Sequence, residues 1–439
     1  MNLPDNVKKI IARLEAAGRE AYVVGGCVRD SLCGLTPPDY DIATSAVPEE
    51  IKEVFHDCRI VDIGEKHGTI AVITESDKSK IEITTFRTDG VYTDSRRPDN
   101  VTFTRDLEAD LSRRDFTVNA MAYSEKTGLI DVFGGEQDLK DKILRCVGEP
   151  EKRFNEDALR IMRALRFMSE RGLVCEEETE KAIRALKENL HKIAPERVRV
   201  EFDRLLLGEH AEKIICEYYD VLGVSFPEII ACAGFDQRNK YHTYDVLTHI
   251  AKTVSAVPRE RVLRLAMFFH DIAKPECFKL VNNYGSFKGH AAKSAEIAER
   301  AMRRLRYDTA AINKIKLLVA SHNDDLEADN ISVKKLLNRF GLDTLLKLCE
   351  VQIADDSAKA DFVKAEIKKH RDVIEKAREI ARSGECFTLG SLALNGDDLT
   401  ELGYKGEEIG AKLRDLLDKV ITGQAGNTRE ALLELIKMQ

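Results

Sequence analysis

Residues 21–44 read AYVVGGCVRDSLCGLTPPDYDIAT. A short apolar run ends in Gly25–Gly26, a segment bearing Arg29 and Asp30 follows, and Asp39 and Asp41 stand one residue apart. On an extended chain, carboxylates at that spacing point to one side and repel each other unless a cation lies between them. Oxygen-only ligands suit Mg²⁺, which binds one or two carboxylates together with substrate phosphates. A glycine turn between a strand and a helix leaves backbone N–H groups free to approach phosphate oxygens. The order of strand, glycine turn, helix and paired aspartates therefore predicts a site where divalent cations meet a phosphorylated substrate. Asp39 and Asp41 are the expected Mg²⁺ ligands and catalytic acids, and Gly25, Gly26 and Arg29 the expected nucleotide contacts. Glu82, in KIEITTF on a neighbouring predicted strand, is the expected third catalytic carboxylate, although it also reads as an exposed strand glutamate.

Outward from this stretch, the 439-residue chain is too long for one core of ordinary size, and 43% hydrophobic with 33% charged residues describes a globular protein. A formal charge of -8 disfavours a generic nucleic-acid binder without excluding one, because phosphate contacts depend on local Lys/Arg patches. The ten cysteines form no C-x-x-C pair, which argues against zinc ribbons and fits a reduced, cytoplasmic protein. The N-terminal MNLPDNVKKIIARLEAAGRE carries charges throughout its apolar pattern and reads as an amphipathic helix, not a signal peptide. No stretch approaches the roughly 20 apolar residues that span a bilayer, so no membrane partner is expected.

Strand signals cluster in the first 145 residues: AYVV, DYDIAT, GTIAVIT, KIEITTFR, NAMAYS and GLIDVF. Between TTFR and RRDFTVNA lies TDGVYTDSRRPDNVTFTRDLEADLS, polar and longer than an ordinary loop, which reads as functional or mobile. From EPEKRFNEDALRIMRALRFMSERG onward the pattern is helical, with Asn155 as the expected N-cap. The expected fold class is α+β, a small mixed sheet with helices followed by an all-α remainder. The expected segments are 1–145, 146–235, 236–372 and a helical tail over 373–439. Within NEDALR, Asp157 and Arg160 are three apart on the predicted helix and so share a face, with acceptors and donors enough to bond the edge of a base. Such a pair alone is most often a surface salt bridge.

The ordered motifs GGCVRD, DYDIAT, RRDFTVNAMA, DVFGG, NEDALRIMRALRF and PERVRVEF resemble those of class II tRNA nucleotidyltransferases. These are the bacterial CCA-adding enzymes and their poly(A) polymerase relatives, within the DNA polymerase beta superfamily. The resemblance implies a nucleotidyltransferase head, a neck and body binding nucleobase and tRNA, and a tRNA-binding tail. It implies an enzyme that extends a tRNA 3′ end with C, C and A from CTP and ATP, releasing pyrophosphate by two-metal phosphoryl transfer. Arg114, Asp115 and Asn119 would contact sugar and phosphates, and Asp157 with Arg160 would accept C and A in turn as a protein template. Arg163 and Arg166 extend the basic stripe toward phosphates or toward solvent. The long polar segment after TTFR favours CCA over CC addition. Poly(A) polymerase is the nearest rival.

A second set, KYHTYDVLTHIAKTV, LAMFFHDIAKP, FKGHAAKSAEIAERAMRRL, VASHND and EVQIADDSAKA, gives the order H…HD…H…H…D over about 240–360. It resembles the HD phosphohydrolase superfamily. Imidazoles mixed with carboxylates suit a transition metal such as Mn²⁺ or Ni²⁺, and metal-bound water becomes a nucleophile near neutral pH. His270, Asp271 and Asp355 match the motif, and the first ligand is His242, at the expected start of a helix, or else His249. His290 and His322 would permit a second metal. The competing reading from another class is an HD phosphohydrolase whose N-terminal half only binds RNA.

Overall fold

This computed structural model describes residues 1–74, 78–90 and 101–438. They form two compact units, Met1–His210 with Asp220–Pro227, and Ala211–Tyr219 with Glu228–Gln439.

The first unit is built on β1 (Ala21–Val24), β2 (Asp41–Thr44), β3 (Arg59–Gly64), β4 (Thr69–Ile73), β5 (Lys80–Thr85), β8 (Ala122–Ser124) and β9 (Gly128–Ile130) in one sheet. Its strand order is β3-β4-β5-β2-β1-β8-β9. The β2–β5 pair is parallel and places Asp41 opposite Glu82, whereas β1 runs antiparallel to both β2 and β8. All four residues of β1 are buried. Alternation then sends Val23 to a core containing Leu14, Val28, Ile42 and Phe55, and Tyr22 and Val24 to one containing Ala43, Phe86 and Leu111. Burial on both faces is what holds the glycine turn after β1 and the start of β2 in fixed places. The first core is covered by α1 (Asp5–Ala16), α2 (Gly26–Leu32) and α3 (Pro48–Val54).

All six strand signals correspond to strands of this sheet, and the α+β expectation holds. β3 was not expected; its residues are all exposed or half-buried, too weak an apolar signal to read. Part of the long polar segment is a ribbon of β6 (Arg87–Asp89) and β7 (Val101–Phe103), followed by α4 (Leu107–Ser112). Its middle, residues 91–100, lies outside the described residues, and the reading of this segment as functional or mobile with it.

Beyond α5 (Gly135–Lys140) come α6 (Pro150–Glu156), α7 (Leu159–Arg171), α8 (Glu177–Leu186) and α9 (Pro195–Leu207). The expectation that Asn155 caps a helix is corrected, because α6 begins at Pro150 and Asn155 lies inside it. Asp157 and Arg160 do not share one helix either. Asp157 has φ -142° and ψ 101°, which ends α6, and its Oδ1 accepts the N–H of Leu159 as α7 begins.

The second unit is helical. α10 (Val246–Ala256), α11 (Arg261–Phe269), α12 (His290–Arg304), α13 (Thr309–Ser321) and α14 (Leu342–Ser357) surround one histidine-rich centre. The all-α expectation misses a hairpin, Lys279–Val281 paired with Tyr284–Ser286. Its turn residues Asn282 and Asn283 have φ 50° and 65°, a conformation asparagine tolerates in two-residue hairpin turns. The last helices form a core of their own around Leu394, Leu416, Leu417 and Leu432. Among the described residues no helix is long and apolar enough to cross a membrane.

Candidate functional site

In the first unit a cleft of about 750 Å³ opens beside the glycine turn and is lined by Gly25, Gly26, Asp39, Asp41 and nine arginines. Gly25 has φ 76° and ψ -129°, a backbone that residues with a Cβ rarely adopt, and a Cβ there would stand 3.0 Å from Arg114 Nη1. Asp41 opens β2, and Asp39 precedes the strand. The Asp41 carboxyl is pushed up to about 6, first by its crowded surroundings and then by the charges of Asp39 and Glu82, with Arg114 opposing. Like charges are thus gathered without enough compensation, which together with the all-oxygen donors fits a divalent cation. Glu82 adds charge, but its carboxylate lies 2.8 Å from Lys80 Nζ and it does not line the cleft.

The RRDFTVNA cluster is tied together by hydrogen bonds. Asp115 accepts from Asn119 Nδ2 at 3.1 Å and from Arg163 Nε at 2.7 Å, and Asn119 Oδ1 accepts from Arg29. Burial would raise the Asp115 carboxyl, but Arg163 and its other donors hold it well below the usual carboxylate range. Arg166 Nη1 lies 3.0 Å from Glu201 Oε2, with its guanidinium over the Phe167 ring, and burial pulls it down to about 10. Asp157 and Arg160 both line the cleft; the Arg160 N–H donates to the Asp157 carbonyl at 3.0 Å, while their side chains are held by other partners. Arg197 Nη2 holds Asp157 Oδ2 at 2.8 Å, and Arg160 donates to Glu156 Oε2 and to the carbonyls of Arg113 and Arg153.

Arg113, Arg171, Arg197 and Arg204 also line the cleft and were not singled out from the sequence. Arg197, Glu201 and Arg204 are spaced i, i+4, i+7 on α9, the one-face spacing that would have exposed them inside PERVRVEFDR.

In the second unit one ligand atom from each of His249, His270, Asp271 and Asp355 lies within 4.8 Å of the others, and Asp271, His290 and His322 form a second such group. His249 Nε2 is 3.3 Å from His270 Nε2 and 3.0 Å from Asp355 Oδ1. His290 Nε2 is 3.2 Å from His322 Nε2. Asp271 joins the groups, with Oδ2 3.2 Å from His249 Nε2 and Oδ1 3.1 Å from His290 Nε2. The Nδ1 atoms of His270, His290 and His322 each lie 2.6–2.8 Å from the carbonyl three residues back. Donation there leaves the Nε2 atoms of His290 and His322 as lone pairs, facing each other across 3.2 Å beside the Asp271 carboxylate. That donor chemistry fits divalent cations.

His242 belongs to neither group. It precedes α10 in a loop instead of starting a helix, it receives Lys274 Nζ at 3.4 Å, and burial with that ammonium pulls it down to about 3. His249, buried on α10, belongs to the first group. A second cavity of about 340 Å³ opens onto this centre, lined by His242, Asp271, Lys274, Lys288, His290 and Lys359 among others.

Residues 21–145 match the Poly A polymerase head domain, 172–231 the Probable RNA and SrmB- binding site of polymerase A, and 240–389 the HD domain. The chain is 53% identical over 208 residues to the CCA-adding enzyme of Leuconostoc mesenteroides subsp. mesenteroides, covering 47% of this chain and about half (51%) of that relative's length. It is 36% identical over 428 residues to the CCA-adding enzyme of Lactobacillus delbrueckii subsp. bulgaricus, covering 97% of this chain and 96% of that one. The crystal structure of the Bacillus stearothermophilus CCA-adding enzyme in complex with CTP superposes with a TM-score of 0.76 at 30% identity, covering 100% and 99% of the two chains. With head, RNA-binding and HD segments in order and a relative aligned along nearly its whole length, the chain belongs to the family of CCA-adding enzymes.

Proposed function

We propose that the protein is a CCA tRNA nucleotidyltransferase of the cytoplasm, adding C, C and A to a tRNA 3′ end from CTP and ATP. The observation that carries this reading is the arginine-lined cleft of the first unit, where the glycine turn, Asp39 and Asp41, and Asp157 and Arg160 meet around one space. Nine arginines suit a triphosphate and an RNA end together. Asp39 and Asp41 are the residues that would hold Mg²⁺, with Glu82 contributing charge beside them. When bound there, Mg²⁺ supplies charge neutralisation at the reacting phosphate. The chain's own contribution is positioning: the glycine turn brings backbone N–H groups close to phosphate, while Arg29, Arg114, Asp115 and Asn119 seat the sugar and phosphates. Asp157 and Arg160 read the base edge, and Arg163 and Arg166 line the same wall. The relative solved with CTP and the curated CCA-adding relatives favour this over poly(A) synthesis. Segments 1–145, 146–235, 236–372 and 373–439 serve as head, neck and body, HD domain and tail.

The test is sequencing of the 3′ ends made on a tRNA lacking CCA with all four nucleoside triphosphates present. Ends finishing in CCA are expected; runs of A made without CTP overturn the assignment.

The facing imidazoles favour a second reading for the other unit, a transition-metal centre held by His249, His270, Asp271 and Asp355, with His290 and His322 for a second ion. Mn²⁺ or Ni²⁺ suits these ligands, and would supply an activated water for phosphoester hydrolysis. Metal analysis of the purified protein tests it.

A further inference from the structure

Next in sequence to residues that line the HD cavity stands an exposed aromatic pair that neither reading uses. Tyr241 is 48% and Phe362 56% exposed, with ring centroids 5.5 Å apart and planes tilted by 55°. Single exposed apolar side chains are ordinary on a soluble protein. This pair is different in three respects. It is fixed, because Tyr241 O accepts the N–H of Ala360 at 2.9 Å and ties the two segments together. It is capped by a cation, with Lys240 Nζ 5.4 Å from the Tyr241 ring and 6.0 Å from that of Phe362. And it adjoins the cavity, since His242 follows Tyr241 directly and Lys359 lies three residues before Phe362, both lining the wall with Lys274 and Lys288. Flat rings beside lysines form the surface that stacks a nucleobase while drawing in its phosphate.

Resting on the metal reading of the HD centre, we infer that Tyr241 and Phe362 are a base-stacking platform. The HD cavity then takes the phosphate of a nucleotide, either free or at the end of an RNA strand. The base lies on the rings and the phosphate passes Lys288 toward the histidine centre.

Photocrosslinking of the full-length protein tests this with two probes, 5-iodouridine 3′-monophosphate and a short single-stranded RNA ending in the same residue. Adducts are located by peptide mass spectrometry. Labelling at Tyr241 or Phe362 is expected, with AMP competing and ribose 5-phosphate not. Affinity for the favoured probe should fall about tenfold in the double variant Tyr241→Ala/Phe362→Ala. Labelling by the monomer points to a free nucleotide and labelling by the strand alone to an RNA end; either supports the platform. Unchanged CCA addition reports that the variant is folded. Adducts confined to other residues, or equal competition by the base-free phosphate, overturn the platform. Metal content measured in parallel separates the two readings: a labelled platform on a protein that binds no metal removes the metal reading and keeps the platform.

Discussion

The two candidate cation sites are built in opposite ways. In the cleft of the first unit Asp39 and Asp41 are exposed, and positive charge comes from the nine arginines that line it. At the histidine centre of the second unit His249, His270, Asp271 and Asp355 are buried, and their ligand atoms already converge. Oxygen ligands left open suit an ion that arrives with its substrate and keeps part of its water. A closed set of oriented imidazoles suits an ion that stays with the protein. The difference teaches that one chain can build one candidate cation site open to a substrate and another closed within its helices.

The harshest break of that comparison is Asp41→Ala. Losing one of two paired carboxylates should cut nucleotide addition by on the order of 10³-fold, without altering the metal retained by the second unit. Single-turnover addition and metal analysis of the same preparation check both halves. Substantial remaining turnover would remove Asp41 from the ligand set.

Next in size is the contrast of His249→Ala with His242→Ala. The first removes a member of the buried group and should lower affinity for Mn²⁺ or Ni²⁺ by more than about 100-fold, beyond what loss of an outer hydrogen-bonding partner costs. The second should leave metal content unchanged, because His242 sits in the cavity wall against Lys274. Both variants should add CCA normally. The reverse ranking of the two histidines would restore the assignment that the loop position of His242 argues against.

What could be read from the sequence divides along similar lines. Strands such as AYVV announce themselves because both faces are buried and apolar. The hairpin at Lys279–Ser286 does not, since its Leu280, Val281 and Tyr284 are exposed and lie within a helical region. The paired aspartates and the HD dipeptide are local in sequence and were legible. His249 was not preferred because a histidine on a buried helix face, beside Leu247 and Ile250, has the pattern of packing; the approach of His270, Asp271 and Asp355 from other parts of the chain distinguishes it. The break at Asp157 is likewise tertiary in origin. NEDALR contains no glycine or proline to end a helix, and the side chain is held out of register by Arg197, forty residues away.

That last contact gives the smallest and sharpest test. Arg197 approaches Asp157 at 2.8 Å while Arg160 is secured separately by Glu156, so the two residues proposed to read the base have independent supports. Arg197→Ala should free the Asp157 carboxylate to turn away from the base while the glycine turn and the Asp115–Asn119 cluster stay in place. Misincorporation of UTP or GTP should rise about tenfold, the scale of one charged hydrogen bond, with the KM for CTP changing much less. Competition experiments on a tRNA lacking CCA read the first quantity and initial rates the second. Arg160→Ala should disturb base choice as well, and more strongly. If Arg197→Ala instead weakens every triphosphate equally, the arginine serves the cleft's charge and not its template, and Asp157 keeps its position by its cap to Leu159 alone.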